Sequence, residues 1–467
     1  MESNPYQSPA TPEDFGQVEF ERPTNKRWVI FFLACGTSWF LYLHRYTWNF
    51  IEPKLTDEYG LSKTETGFLG SLFNWSYGGC QIPSGMIVNW FGPHLFLGLI
   101  IALWSVGLAM QGMYSNIWYL RGVRIFFGTC QAGCYPALLH VTHTWFPKSS
   151  RTSIQGWVAA FFGRGGGFMS SILMGSVLMG FFALSWQSSL FILAGCGLVF
   201  ALIFLLMFRN SPVHDPGVNK AELAIITEGE SDKSQAATKK MLPWRKAFKH
   251  WGMRFFFFQQ IFNAGADNIF SLFMGSFFLT VMNVDIKQGG LLIGLPLLGG
   301  ALGGIFGGFL NDLLIQRLGS RRWARTSIGF TGNFMGCVLM FVAISQKEPL
   351  AAGLALFVVK FFSDWTQPTV WGTCTDLGRE YSATVFSIIN TAGTIGGIIF
   401  PPLFGVILDR FATKEIRGGA EVIIPNFYQL FVFIAAMYMV SAVCWFAINC
   451  EKPIESVASE RGEKVSS

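Results

Sequence analysis

The chain has 467 residues, of which 51% are hydrophobic, 16% aromatic and only 13% charged. A soluble domain is nearer a quarter charged, so this composition excludes an ordinary water-soluble globular protein and points to a polytopic helical membrane protein. The net charge of +6 does not imply nucleic acid, because the basic residues gather in the polar breaks between apolar runs, as in membrane proteins.

Residues 1–27 are polar and contain prolines. They read as a disordered cytoplasmic tail with no cleavable signal, since the first apolar run is already a full span. Twelve runs follow, at 28–50, 65–90, 93–115, 117–146, 153–182, 186–208, 251–282, 288–316, 323–345, 349–375, 380–410 and 425–449. Each is long enough to cross a bilayer, some with tilt. The one long polar break, 209–250, divides them six and six. Halves at 28–208 and 251–449 are therefore expected, with a cytoplasmic linker between them and a second cytoplasmic tail at 450–467. With the N-terminus inside, 22 Lys and Arg fall on the cytoplasmic side, 7 on the outer side and 5 within spans. That bias orients both termini to the cytoplasm of a cell membrane. Within the linker, 219–228 has the pattern of a short helix capped by Asn219, its charges expected on a solvated surface. Nine cysteines (35, 80, 130, 134, 196, 337, 374, 444 and 450) mostly stand alone in apolar runs without any CxxC. Packing is expected of them, and neither a disulfide framework nor a metal site.

The stretch 28–53, WVIFFLACGTSWFLYLHRYTWNFIEP, begins as a span and then carries Arg45 among aromatic residues. An ionisable group in a span is costly and is read first as functional. Arginine cannot shed its proton, so it needs an anion, acceptors or water. The competing reading is a side chain that snorkels to the far interface.

The halves echo each other. Gly85-Met-Ile-Val-Asn89 ends the second span, and Gly308-Phe-Leu-Asn-Asp312 ends the eighth. Pro136, Thr152 and Gly165 recur as Pro368, Thr384 and Gly397. Two echoes in one order predict a parallel repeat, with the substrate held between the halves near the midplane.

These features resemble the major facilitator superfamily over nearly the whole chain. The stretch GGFLNDLLIQRLGSRRWAR resembles that superfamily's gating loop, assigning Asn89, Asp312, Arg317, Arg321 and Arg322 to gating. The closest resemblance is to the anion:cation symporters, which include sugar-acid carriers. It is carried by Tyr42-Leu-His-Arg45 with Pro53, by Tyr77-Gly-Gly-Cys-Gln81-Ile-Pro83-Ser-Gly85, by Arg124 through Gly128 with Pro136 and Trp145-Phe-Pro147, and by Pro243-Trp244. The organophosphate:phosphate antiporters share the first and third patterns, including Gln131. Against the symporter pattern, His44 stands where an acidic residue is usual and Gln131 where Glu is usual. Asn89 replaces the usual Asp, and the basic partner is missing at Trp90. The resemblance implies an all-α membrane protein with twelve transmembrane helices in two pseudo-symmetric six-helix halves.

Four cations (Arg45, Arg124, Arg164 and Lys360) and two anions (Asp267 and Asp364) fall within the spans. The surplus positive charge is best balanced by an anionic ligand. Arg124 and Gln131 are seven apart and share a helix face. Arg164 lies roughly 17 Å into its span at 1.5 Å per residue, among glycines. Lys360 and Asp364 are four apart and can pair, either structurally or for coupling. Arg124 has a competing reading as a snorkelling residue near the outer face. Tyr42, Tyr77, Gln81, Asn268, Trp371 and Asn390 are candidate contacts, each equally open to reading as helix–helix glue. The coupling candidates are His44, Asp267, Lys360 and Asp364.

Three functions compete. The first is a secondary active transporter of a small organic anion by alternating access, with Arg45 and Arg164 holding one anionic group. The second exchanges phosphate esters for inorganic phosphate. The third is a membrane sensor that does not transport, for which the short polar segments argue poorly. No GxxxxGK[ST], GxSxG or HExxH occurs, so an ATP-driven pump or enzyme is not expected. The expected partners are a small-molecule anion, protons or sodium, and the lipid bilayer. A monomer should suffice, with no cofactor, catalytic residue or nucleic acid.

Overall fold

The structure, a computed structural model, describes residues 22–114, 116–147, 149–228, 247–417 and 420–454. The described helices line up as twelve successive rods: 26–59, 63–91, 93–110, 117–145, 151–181, 186–207, 251–281, 286–318, 321–345, 349–378, 382–410 and 427–447, numbered 1 to 12 here. Rods 2 and 3 are parted only by Gly92, whose φ of 74° suits glycine, followed by Pro93. Among the described residues seven helices are long and apolar enough to cross a membrane by length and composition. They belong to rods 3, 6 and 8–12. Rods 1, 2, 4, 5 and 7 are too interrupted or too polar for that test, and those five line the central cavity described below.

Every third rod is broken near its middle. Rod 1 breaks at Thr47, rod 4 at Gly133, rod 7 at Asn268, and rod 10 between Asp364 and Gln367. The causes are local. Pro53, Pro136 and Pro368 each remove a backbone donor just past a break. The hydroxyls of Thr47 and Thr366 donate to the carbonyls of His44 (2.8 Å) and Ser363 (2.7 Å). Asn268 Nδ2 donates back to the Ala264 carbonyl at 2.8 Å. Such local bonds compete with the helix ladder and bend it. Arg45, Gln131, Asp267 and Asp364 each lie within two residues of a break, so the same irregularity recurs beside four of the candidate residues.

Rod 5 is π-helical over Trp157–Phe162 and Ser171–Phe181, with Gly163–Ser170 as ordinary helix between. Gly166 lets rod 1 approach to backbone contact at Trp39, which sets Arg164 against rod 1. In rod 8, Gly299, Gly303 and Gly307 face the backbone carbonyls of Phe357, Phe361 and Trp365. A Cβ at any of the three would collide with them, so this ladder fixes the rod that carries Lys360 and Asp364.

Residues 411–424, to which the sequence analysis assigns no element, include an antiparallel hairpin of Thr413–Arg417 and Ala420–Ile424, with Lys414 opposite Ile423. The short linker helix is present as Lys220–Ile226, with Asn219 Oδ1 accepting from the Glu222 N–H. Its charges do not all face solvent, which corrects the solvated-surface expectation. Glu222 is fully buried. Its carboxylate accepts from the N–H groups of Lys26 (2.9 Å) and Arg27 (2.8 Å) and from the Thr24 hydroxyl, capping rod 1 from the linker. Pro243, Trp244 and the rest of 229–246 lie outside the described residues, as do most of both tails.

The halves meet most closely at the end of the bundle away from the described termini. There Asn49 Nδ2 donates to the Phe270 carbonyl (3.0 Å), Ser176 Oγ to the Lys287 carbonyl (2.6 Å), and Ser71 Oγ to the Ile398 carbonyl (2.6 Å). Toward the tail end the halves are bridged by exposed Asn390, whose Nδ2 donates to Oε1 of half-buried Gln81 at 2.8 Å.

Candidate functional site

The breaks in rods 1 and 7 and the N-terminal part of rod 5 converge on a cavity of about 160 Å³. Its walls include Tyr42, Arg45, Tyr46, Phe73, Asn74, Arg124, Arg164, Asp267 and Asn268. The sequence candidates Tyr42, Arg45, Arg124, Arg164, Asp267 and Asn268 are thus brought together from four rods.

Arg45 is clamped by aromatic rings. Its guanidinium carbon lies 5.2 Å from the Tyr42 ring centroid, 5.0 Å from Phe73 and 4.8 Å from Tyr77. Its Nε donates to Gln131 Oε1 at 3.1 Å, and Gln131 Nε2 donates to the Leu41 carbonyl at 3.3 Å. Its Nη2 is buried without a hydrogen-bond partner. Tyr77 and Gln131 therefore hold the arginine from outside the cavity lining. The snorkelling reading of Arg45 does not describe this inward, ring-clamped side chain.

Arg124 is buried, contrary to its snorkelling reading. Its Nε donates to the Leu69 carbonyl (3.2 Å) and its Nη1 to Gln111 Oε1 (3.5 Å). Its guanidinium carbon lies 4.1 Å from the Trp48 ring and 4.9 Å from Phe73. Both arginines lie within about 5 Å of the Phe73 ring, and neither forms an ion pair among the described residues. Ring faces offer partial negative charge and are worth about 2 kcal/mol when desolvated. They do not cancel a full positive charge.

Arg164 is different. Arg45 and Arg164 were expected to share one anionic ligand, but Arg164 is already matched by protein carboxylates. Its Nη1 is 3.4 Å from Asp267 Oδ2, and its Nη2 is 3.1 Å from Asp364 Oδ2. Tyr46 Oη accepts from Nη1 at 3.4 Å. Lys360, fully buried, pairs with Asp364 at 2.6 Å and also with Asp267. Lys360 and Asp364 are therefore no isolated pair but part of a neutral four-charge network. The positive surplus rests on Arg45 and Arg124.

This cage of paired and unpaired charge lies between two bundles whose first and fourth rods break in step. The Major Facilitator Superfamily model matches residues 28–401. The chain belongs to the major facilitator superfamily. Members of this superfamily are transporters and not enzymes, and so is this chain. It is 26% identical over 440 residues to the probable sulfoacetate transporter SauU of Cupriavidus necator, covering 94% of this chain and 97% of that one. It is likewise 26% identical to the probable galactarate/D-glucarate transporter GudP of Bacillus subtilis, over 87% of this chain and 91% of the relative. The fold matches a bacterial homologue of the human lysosomal transporter Spinster, solved inward-facing and occupied, with a TM-score of 0.66 at 15% identity. That match covers 90% of this chain and 94% of the other.

Other candidate residues of this facilitator lie elsewhere. His44 is buried against rod 6, its Nε2 3.1 Å from the Leu193 carbonyl, and does not line the cavity. Trp371 is exposed and meets Phe386 edge-on. Gln81 and Asn390 bond each other away from the cavity. In the loop likened to a gate, Asp312 accepts from Asn311 Nδ2 at 3.3 Å and forms no ion pair with Arg317, Arg321 or Arg322 among the described residues. Asp376 of rod 10 is the acceptor instead, 3.2 Å from Arg321 and 2.9 Å from Arg325. Arg322 lies over the Trp323 ring, and its backbone N–H reaches Glu451. The Asn89 side chain lies outside the description.

A second cluster, not expected from the sequence, lies at the end away from the termini. Glu52 and Lys63 form a buried ion pair at 2.7 Å, and Lys63 Nζ also reaches Ser276 Oγ of the other half at 2.6 Å. The only signal in the sequence was an acid immediately before Pro53.

Proposed function

We propose that this transporter carries a small organic anion, a sugar acid or related carboxylate or sulfonate, bound by Arg45 and Arg124 in the central cavity. The observation that carries this reading is a buried Arg124 and a half-buried Arg45 on one aromatic ring, with no carboxylate among the described residues to balance them. A buried unpaired charge is expensive, and an anion is the ligand that would offset it. A guanidinium suits carboxylate and sulfonate oxygens through paired N–H donors. The relatives named for sulfoacetate and glucarate support this chemistry over phosphate-ester exchange. The cluster of Lys and Arg toward the tail end supports cytoplasmic termini in a cell membrane, and with them a cavity closed on the outer side. The complete cavity within one chain supports a monomeric unit. The test is a thermal-shift screen of purified protein against sulfoacetate, D-glucarate, D-galactonate and glycerol 3-phosphate. A native-state ligand raises apparent stability. The carboxylates or sulfonate should stabilise and the phosphate ester should not; stabilisation by the phosphate ester alone would reverse the assignment.

A further inference from the structure

Of the four charges in the midplane network, three belong to one half. Asp267 is on rod 7, and Lys360 and Asp364 are on rod 10. The fourth, Arg164, reaches them from rod 5 of the other half. Alternating access moves one half against the other. The Lys360–Asp364 and Lys360–Asp267 pairs can travel together, whereas the contacts of Arg164 are those that rocking must break or reshape.

Once Arg164 withdraws, Asp267, Lys360 and Asp364 carry one excess negative charge at mid-depth, where uncompensated charge is costly. Two carboxylates sharing one ammonium are relieved if one of them takes up a proton. The same movement frees a guanidinium beside Arg45 and Arg124. We propose that a proton and the transported anion together replace the Arg164 ion pairs: the proton goes to the Asp267–Asp364 pair, and the anion, held by Arg45 and Arg124, supplies the negative charge that Arg164 gives up. When Arg164 returns, both are expelled on the same side. The outcome is proton–anion symport with its proton site on rods 7 and 10. This rests on the anion reading above.

Among the described residues, the groups around these carboxylates offer no other carrier. Rod 5 presents Arg164, rod 10 presents Lys360, rod 1 presents Tyr46 through Arg164, rod 12 presents Tyr438, and rod 8 presents Gly300. Tyrosine, lysine and arginine ordinarily lose protons only near pH 10 or above. Gln131 cannot titrate, and His44 is turned toward Leu193.

The test uses purified full-length protein in weakly buffered detergent near pH 6.5, mixed with saturating sulfoacetate, D-glucarate or D-galactonate. A pH indicator reads proton uptake, and calorimetry reads binding. About one proton should be taken up per anion bound by the wild type. The same value is expected for His44→Gln, with loss of the uptake in Asp267→Asn and in Asp364→Asn. Anion binding by the wild type with no proton uptake overturns this proposal and leaves the anion reading intact. Proton uptake that survives both aspartate variants also overturns it. A folded wild type that binds none of the three anions removes both readings. A wild type that binds the anion without proton uptake overturns the proposal even if neither aspartate variant folds.

Discussion

Asp409, at the end of rod 11, caps the first turn of rod 2 in the opposite half. Its Oδ1 accepts from the Lys63 N–H at 2.9 Å, and its Oδ2 from the Thr64 N–H at 2.8 Å and the Thr64 hydroxyl at 2.6 Å. A carboxylate at a helix N-terminus satisfies orphan donors and meets the positive end of the helix dipole. Here the cap comes from the other half, so it exists only while this end of the transporter is closed. Asp409→Asn keeps an acceptor and loses the charge, at a cost of about 1 kcal/mol. The closed population should fall about fivefold relative to the open one. Spin labels on rods 2 and 11 at this end should show the longer distance gaining weight. An unchanged distance distribution would remove Asp409 from the gate and return attention to the opposite loops.

Beside this cap, Glu52 and Lys63 are a buried pair whose members should not be removed singly. Breaking such a pair typically costs about 3–5 kcal/mol, because it strands a buried charge, while replacing both partners is far milder. Lys63→Met should therefore lower the melting temperature sharply. Glu52→Gln combined with Lys63→Met should recover most of the loss. A double variant as unstable as the sum of the singles would show that the two residues act independently.

The fold was legible because a membrane span announces itself by length and composition alone. The twelve expected runs overlap the twelve rods, and the half-chain echo falls on positions with the same place in each half. The mid-rod breaks were less legible. Thr47 and Asn268 are ordinary polar residues until their side chains bond back to carbonyls one turn earlier. The charged residues were easy to find and hard to pair. Nothing local says that Arg164 meets Asp267 and Asp364, 103 and 200 positions away, so Arg164 looked as free as Arg45. Asp409 and Ser276 gave no signal because each satisfies its partner only across the interface between halves.

The linker clasp gives a prediction with a defined pH direction. Burial acts to raise the Glu222 carboxyl, but the N–H of Arg27, the hydroxyl of Thr24 and the N–H of Lys26 outweigh it and hold the group below its ordinary 4.5. A carboxyl lowered in the folded state adds stability above its unfolded value, and that stability is lost as pH falls through the folded one. The clasp should therefore persist at neutral pH and release only below about pH 4.5. Glu222→Gln should loosen it at pH 7. Backbone amide exchange at Lys26 and Arg27, corrected for intrinsic rates, should rise in that variant at neutral pH and in the wild type only under acid. Equal protection in both proteins at pH 7 would mean that the carboxylate charge does not hold the clasp.

The most discriminating substitution is Arg45→Lys. Lysine keeps the charge and loses the planar fork that matches two oxygens of one carboxylate or sulfonate. It also loses the flat face that lies against Tyr42, Phe73 and Tyr77. One hydrogen bond to a charged group is worth about 2 kcal/mol, so anion affinity should fall by tens of fold. Arg164→Lys should act differently, because its partners are Asp267 and Asp364: a retained positive charge still balances the network, and anion affinity should fall less than in Arg45→Lys. If Arg45 only packs, the order reverses, with melting temperature falling first and any folded Arg45→Lys protein binding the anion normally. Calorimetric titration of the two purified variants with the best anion from the screen, alongside their melting curves, separates the cases. Wild-type affinity in Arg45→Lys would take Arg45 out of the site and leave Arg124 as the lone unbalanced cation facing the cavity.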